Sequence, residues 1–312
     1  MPWEKISTKD RFLGCLLGLA VGDAVGTTNE FKQPGTFQPI TDMVGGGEFD
    51  LKPGQWTDDT SMALCLAQSL IECNSFDPAD QMKKYVKWWQ EGYLSSTGEC
   101  FDIGNTVKSA LRKFIKTGEP YAGSTKWNSS GNGCLMRLAP IPMFYFNKPD
   151  ELDEAAKNSS RTTHGNKLCI DAAVLFARKL HRALKGGSKQ ELLVEPVGKD
   201  DHDFSPELQA IIDTSYLKLK ESEIKGTGFV IESLQAAMWC FANSSSYRET
   251  VLKAANLGDD ADTTASIAGQ IAGAYYGTKA IPKVWKSKLA MSEFILKSGD
   301  RLYKTAIEGH SS

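Results

Sequence analysis

An all-α fold is predicted by three observations. Apolar residues recur along most of the chain with helical spacing. Alternating runs of Val, Ile and Thr between turn residues are nearly absent, which leaves little material for a sheet. Near the C-terminal end, residues 263–276 carry Ala265, Ala268, Gly269, Ala272 and Gly273, small side chains that let a second backbone approach closely despite their cost in helix propensity.

The elements follow in order. The apolar run 12–21 is preceded by Lys5, Lys9 and Arg11, in imitation of a secretory leader. Glu4 and Asp10 stand among those bases, Asp23 follows directly, and the run is far short of the ~20 residues that cross a bilayer. A buried first helix is the expectation. Residues 61–73 are apolar nearly all round and therefore an interior helix. Further helices are expected over 81–89, 105–115, 171–184, 208–219, 230–241, 248–255 and 263–276. Residues 193–228 are polar, with Lys199-Asp200-Asp201-His202-Asp203 near their start. Apolar helices resume beyond them without change of character, so this stretch is a surface excursion. The chain 1–312 is expected to form a single domain with its core over about 11–290.

Composition excludes several classes. With 41% hydrophobic residues and 7 Trp, 9 Tyr and 14 Phe in 312, the chain is not disordered. Lys+Arg 36 against Asp+Glu 38 leaves a net charge of -2, so no global basic field holds nucleic acid non-specifically. The cysteines (15, 65, 73, 100, 134, 169 and 240) are odd in number and never spaced CxxC, which argues against a disulfide framework or a zinc cage. A cytoplasmic monomer without membrane contact is expected.

Two acidic clusters carry the chemistry. The first is Trp56-Thr57-Asp58-Asp59-Thr60, the second Gly258-Asp259-Asp260-Ala261-Asp262-Thr263-Thr264, and each stands at the start of a buried helix. N-capping is the plain reading of Asp and Thr at such places. Capping needs one such residue, however, and adjacent carboxylates beside an apolar helix repel one another. A hard divalent cation removes the conflict, because Mg²⁺, Mn²⁺ and Ca²⁺ take carboxylate and hydroxyl oxygens. A calcium loop starting at Asp260 fails: Ala265 stands where the turn needs Gly and Ile271 where a bidentate Glu is required. There is no GxxxxGK[ST], HExxH or GxSxG. Gly131-Asn132-Gly133 lacks the third glycine of a dinucleotide fingerprint; its amides either bind a phosphate or form an ordinary turn. Arg137 is either a phosphate partner or a structural arginine paired with a carboxylate. His181, His202 and His310 read as surface residues, and His164 as structural.

The set taken together resembles the ADP-ribosylglycohydrolase family, which includes the dinitrogenase reductase-activating glycohydrolase and the ADP-ribosylarginine hydrolases. The motifs, in order, are Gly14 to Ala24, Glu30-Phe31, Pro53 to Thr60, Asp102-Ile103-Gly104-Asn105-Thr106, Gly131-Asn132-Gly133 with Met136-Arg137, Thr163-His164, and Asn256 to Thr263. The resemblance implies a compact domain of orthogonally packed helices around a central cleft with two divalent ions, Mg²⁺ or Mn²⁺. It implies hydrolysis of a glycosidic bond between ADP-ribose and an acceptor. By motif, Thr57, Asp58, Asp59, Asp260, Asp262 and Thr263 correspond to metal ligands, and Asp59 also to the catalytic centre. Glu30 corresponds to a flap glutamate near the metals and is expected to be catalytic or gating. Gly131, Asn132 and Gly133 match the ADP-ribose-binding loop, and His164 a residue on the adenosine side. Asp259 and Glu48 depart from the pattern, the first where glycine is usual and the second where an apolar residue or Pro is common.

Asp102 bears on the acceptor. It reads either as the N-cap of the helix at 105 or, by resemblance, as a carboxylate facing the guanidinium side of the cleft. The implied substrate is arginine-linked ADP-ribose on a protein, with ADP-ribose as product. Serine-linked, O-acetyl- and nucleobase-linked ADP-ribose are the alternatives, together with an immunity protein against an ADP-ribosylating toxin and a non-catalytic structural descendant. The intact acidic clusters argue against the last.

Overall fold

The computed structural model describes residues 6–195 and 202–307. Regular structure among them is helical: α1 (Thr8–Gly26), α2 (Asp58–Cys73), α3 (Pro78–Glu91), α4 (Asn105–Thr117), α5 (Pro140–Phe144), α6 (Pro149–Arg161), α7 (Lys167–Leu184), α8 (Lys189–Leu193), α9 (Gln209–Ile212), α10 (Val230–Ala242), α11 (Tyr247–Ala255), α12 (Ala261–Tyr276), α13 (Lys283–Lys288) and α14 (Ser292–Ile307). Extended pairing is confined to isolated bridges, Gly46 with Leu51, Ser124 with His164 and Gly131 with Phe229. The expected all-α class is what the chain adopts, in one compact unit.

The centre is an antiparallel pair, α1 against α12, with the small residues at the contact. A Cβ on Gly14 would lie 2.2 Å from Gly273 O, one on Gly18 2.4 Å from Gly269 O, and one on Gly22 2.1 Å from Ala265 O. No side chain fits between these backbones, so the four-residue spacing of small residues on each helix sets their separation. Arg11 fixes the register by donating to Ala274 O and Tyr275 O at 3.0 and 2.7 Å, the orphan carbonyls at the end of α12. α12 also packs on α10 and α11, and α1 on α14. The crossing brings the C-terminal end of α1, with Asp23, against the N-terminal end of α12, with Asp262. A second, smaller apolar cluster joins α2, α3 and α4 through Met62, Tyr85, Trp88, Val107 and Leu111.

Three expectations need correction. Residues 208–219 are not one helix: α9 ends at Ile212, Thr214 takes a left-handed φ of 63°, and a short 3-10 turn, Ser215–Lys218, follows. Asp213 drives the break by accepting from Ser215 N at 2.9 Å. Helices α6 and α14 were not expected. Their buried faces rest on Ala, Ser and Gly as much as on Leu and Ile, which dilutes the periodic signal. Two histidines expected to be free at the surface are instead engaged: His181 Nε2 lies 2.9 Å from Phe146 O, and His202 Nε2 3.0 Å from Asp171 Oδ1. Glu4, Lys5, His310 and residues 196–201 of the excursion lie outside the described residues.

Candidate active site

The acidic clusters occupy N-cap positions without capping. Thr57 precedes α2 and Asp260 precedes α12, yet neither side chain makes a cap hydrogen bond. The Thr57 hydroxyl instead lies 3.0 Å from Asp23 Oδ1, 3.3 Å from Asp59 Oδ2 and 3.2 Å from Asp262 Oδ2. Thr263 Oγ1 adds a contact of 3.2 Å to Asp59 Oδ2. Two clusters more than two hundred residues apart in sequence thus share one buried volume.

The donor count does not close. Thr57 has one hydroxyl proton for three carboxylate neighbours, so oxygen faces oxygen in the remaining contacts. Asp59 Oδ1, Asp262 Oδ1 and Glu30 Oε2 are buried with no hydrogen-bond partner. Carboxylate oxygens of Asp23, Asp59 and Asp262 all lie within 4.8 Å of one another, as do those of Glu30, Asp102 and Asp262. The two triads share Asp262. Burial, reinforced by the neighbouring acids, pushes Asp58, Asp59 and Asp262 well above the usual carboxylate range. Glu30 is pushed up to about 10 by burial and then by Asp102, and Asp102 up to about 8 by burial and then by Asp260. Such oxygens, hard, buried and short of protons, form a donor set that fits divalent cations.

Asp23 is the functional residue that the sequence did not single out. Its carboxylate accepts from the amides of Thr57 and Thr60 at 2.9 and 3.0 Å and from their hydroxyls at 3.0 and 2.6 Å. These donors oppose burial, and the group rises only to about 6. Its signal was its setting: the one charged residue in the stretch 12–26 of α1.

The remaining residues line one cleft of about 670 Å³. Its lining includes Asp58, Asp260, Glu30, Asp102, Gly131, Asn132, Gly133 and His164. Asn132 Nδ2 donates to Asp260 Oδ2 at 2.6 Å and to Ser233 Oγ at 2.7 Å, so the glycine loop and the second acidic cluster are tied together. The Asn132 amide is engaged with Gly228 O at 3.1 Å and is not free for a phosphate. His164 lies beneath the loop: a Cβ on Gly133 would come within 2.8 Å of its ring. Burial, then Arg137, depresses its pKa to about 3, and the ring is neutral.

Two readings change. Asp102 does not cap α4, whose N-cap is Gly104; it stands in the loop before it at φ 55°. Arg137 is fully buried and takes neither expected role. It donates to Gly133 O at 2.9 Å and Thr163 Oγ1 at 2.6 Å and stacks 5.0 Å over Tyr85, bracing the glycine loop from behind. Asp259, also left-handed at φ 52°, pairs through its backbone with Phe31 N and Lys32 O at 2.7 and 2.8 Å and holds the flap after Glu30 in place.

The family model described as ADP-ribosylglycohydrolase matches residues 4–311. The chain belongs to the ADP-ribosylglycohydrolase family. ADP-ribosylarginine hydrolase Tri1 of Pseudomonas putida (strain GB-1) is 40% identical over 297 residues, 95% of this chain and 79% of that protein. The ADP-ribosyl-[dinitrogen reductase] glycohydrolase of Rhodospirillum rubrum is 31% identical over 91% of this chain and 92% of its own length. A solved structure described as an ADP-ribosylglycohydrolase-related protein complex superimposes with TM-score 0.86 at 40% identity, covering 96% of this chain and 99% of that one. As an ADP-ribosylglycohydrolase, this protein is an enzyme that hydrolyses glycosidic linkages of ADP-ribose.

Proposed function

We propose that the enzyme releases ADP-ribose from arginine on a protein acceptor, with two divalent cations, Mg²⁺ or Mn²⁺, held between the acidic clusters. The observation that carries this reading is the pair of carboxylate triads sharing Asp262, with unpartnered oxygens on Asp59, Asp262 and Glu30. The arginine acceptor is supported by the names of relatives at 39–40% identity, ADP-ribosylarginine hydrolases from two bacteria.

In this reading Thr57, Asp58, Asp59, Asp260, Asp262 and Thr263 hold the cations. When bound, such ions orient the diol of the distal ribose and supply an activated water. Asp59, buried at the centre, fixes the oxygen donors around the point of attack. Glu30 and Asp102, whose carboxylate oxygens approach within 4.8 Å, receive the planar guanidinium, which suits paired carboxylate oxygens. Their negative charge also stabilises a sugar that acquires oxocarbenium character, and Asp102 takes the proton released by the attacking water and passes it to the departing guanidine. Gly131, Asn132 and Gly133 form the wall for the diphosphate, with the neutral His164 ring beneath. A cleft of about 670 Å³ suits a ligand of dinucleotide size. Free thiols at every cysteine support a reducing compartment.

The test is release of ADP-ribose from arginine-, serine- and guanine-linked substrates, with and without EDTA. Cleavage of the arginine linkage that EDTA abolishes is the expected result. Preference for the serine linkage overturns the acceptor, and full activity in EDTA overturns the cations.

A further inference from the structure

Three aromatic rings join the flap to the loop before α4. Phe31 is 62% exposed and lines the cleft directly after Glu30. Its ring meets that of Phe49 edge-on at 6.4 Å, and Phe49 in turn meets Phe101 at 5.3 Å. Phe101 immediately precedes Asp102. The rings therefore form an arc from the residue after Glu30 to the residue before Asp102.

The arc is built, not incidental. Phe31 is held at a left-handed φ of 59°, which a bulky residue adopts only under constraint, and the constraint is its bond to Asp259 O at 2.7 Å. That conformation sends Glu30 inward and the ring outward. Phe49 rides on a tight loop closed by reciprocal bonds between Gly46 and Leu51 at 2.7 and 3.0 Å. The loop is pressed onto the end of α1: a Cβ on Gly47 would lie 2.1 Å from Thr27 O. Exposed Glu48 and Asp50 flank the ring. Fixed aromatic side chains beside acidic ones are the chemistry of a docking surface for a cationic polypeptide.

We propose that Phe31, Phe49 and Phe101, with Glu48, form the platform for the acceptor polypeptide on either side of the modified arginine. This rests on the arginine reading above and extends it from the scissile bond to the acceptor's own chain. A polypeptide whose guanidinium lies between Glu30 and Asp102 leaves the cleft across this arc, because the arc connects those two residues. The departure at Glu48 from the family's apolar or Pro residue then has a role, the attraction of basic neighbours of the arginine.

Two substrates share the bond and differ in the polypeptide: ADP-ribosylagmatine and a protein mono-ADP-ribosylated on arginine. Phe49→Ser and Glu48→Lys do not touch the cleft. Phe49→Ser is expected to lower kcat/KM on the protein about tenfold and to leave ADP-ribosylagmatine within about twofold of wild type. Glu48→Lys, fully at the surface, is expected to lose about threefold on the protein alone, and it keeps the assay decisive if Phe49→Ser misfolds. Equal losses on both substrates, or no loss on either, overturn the proposal and leave the arginine reading standing. Wild type that cleaves only the small substrate also overturns it. Wild type that cleaves neither overturns the arginine reading itself.

Discussion

At Asp23 the hydrogen-bond count decides where a single proton points. The Thr57 hydroxyl has three carboxylate neighbours, but only Asp23 Oδ1 also accepts the Thr57 amide, at 2.9 Å against 3.0 Å for the hydroxyl. It is also the nearest of the three to the hydroxyl, at 3.0 Å against 3.3 and 3.2 Å, so the proton goes to Asp23, and the lone pairs of Thr57 face Asp59 and Asp262, where a cation would use them. Asp23→Asn replaces one acceptor by an N–H donor that confronts other donors. The expected outcome is a loss of Mn²⁺ affinity of about tenfold, read by electron paramagnetic resonance, with the fold retained. Unchanged affinity would reduce Asp23 to a helix anchor. Sequence reveals the doubled acidic motifs because each is dense in carboxylates over a few residues. It does not reveal Asp23, whose partners lie 34 and 37 positions away and whose neighbours are all apolar. The role of Arg137 escapes the sequence for the same reason: besides the nearby Gly133 O, its partners Thr163 and Tyr85 come from separate elements, and charge alone suggests a phosphate or a carboxylate.

The helices deliver these residues, and the contact between α1 and α12 sets how close they come. Gly22 is one residue before Asp23, and its backbone lies against Ala265, one turn into α12, whose first turn carries Asp262. An added methyl at Gly22 meets backbone oxygen, which cannot rotate away. Gly22→Ala is expected to cost about 1–3 kcal/mol in urea unfolding, the usual range for overpacking, and to weaken metal binding by widening the gap between Asp23 and Asp262. A Gly22→Ala protein with normal stability would mean that the helix pair yields easily. Small residues at intervals of four make α12 legible as an interior helix from the sequence alone. Helix α6 is not legible in this way, because its buried face is Leu152, Ala155, Ala156, Ser159 and Ser160 beneath a charged exterior, too weak a stripe to read.

Across the whole molecule, function and stability pull against each other at the cleft. Folding closes one apolar centre around Asp23, Asp59 and Asp262, each 0–1% exposed, and so gathers like charges where water cannot separate them. Without a cation the folded state carries that repulsion; with one it gains RT ln(1 + [L]/Kd), about 2.7 kcal/mol at a hundredfold excess over Kd. Asp262 is the shared corner of both triads, and Asp262→Asn keeps its shape and offers an N–H to the Thr57 lone pair while removing one charge. Two opposite signs follow. In EDTA the variant should melt at least as high as wild type, since it is relieved of one repelling carboxylate. In excess Mg²⁺ or Mn²⁺, wild type should rise by several degrees and the variant by little, so the order of the two Tm values reverses. Scanning calorimetry under both conditions reads this directly. A variant that is less stable in EDTA yet gains the full metal shift would make Asp262 a packing residue, and the cations would then have to be sought elsewhere in the cleft.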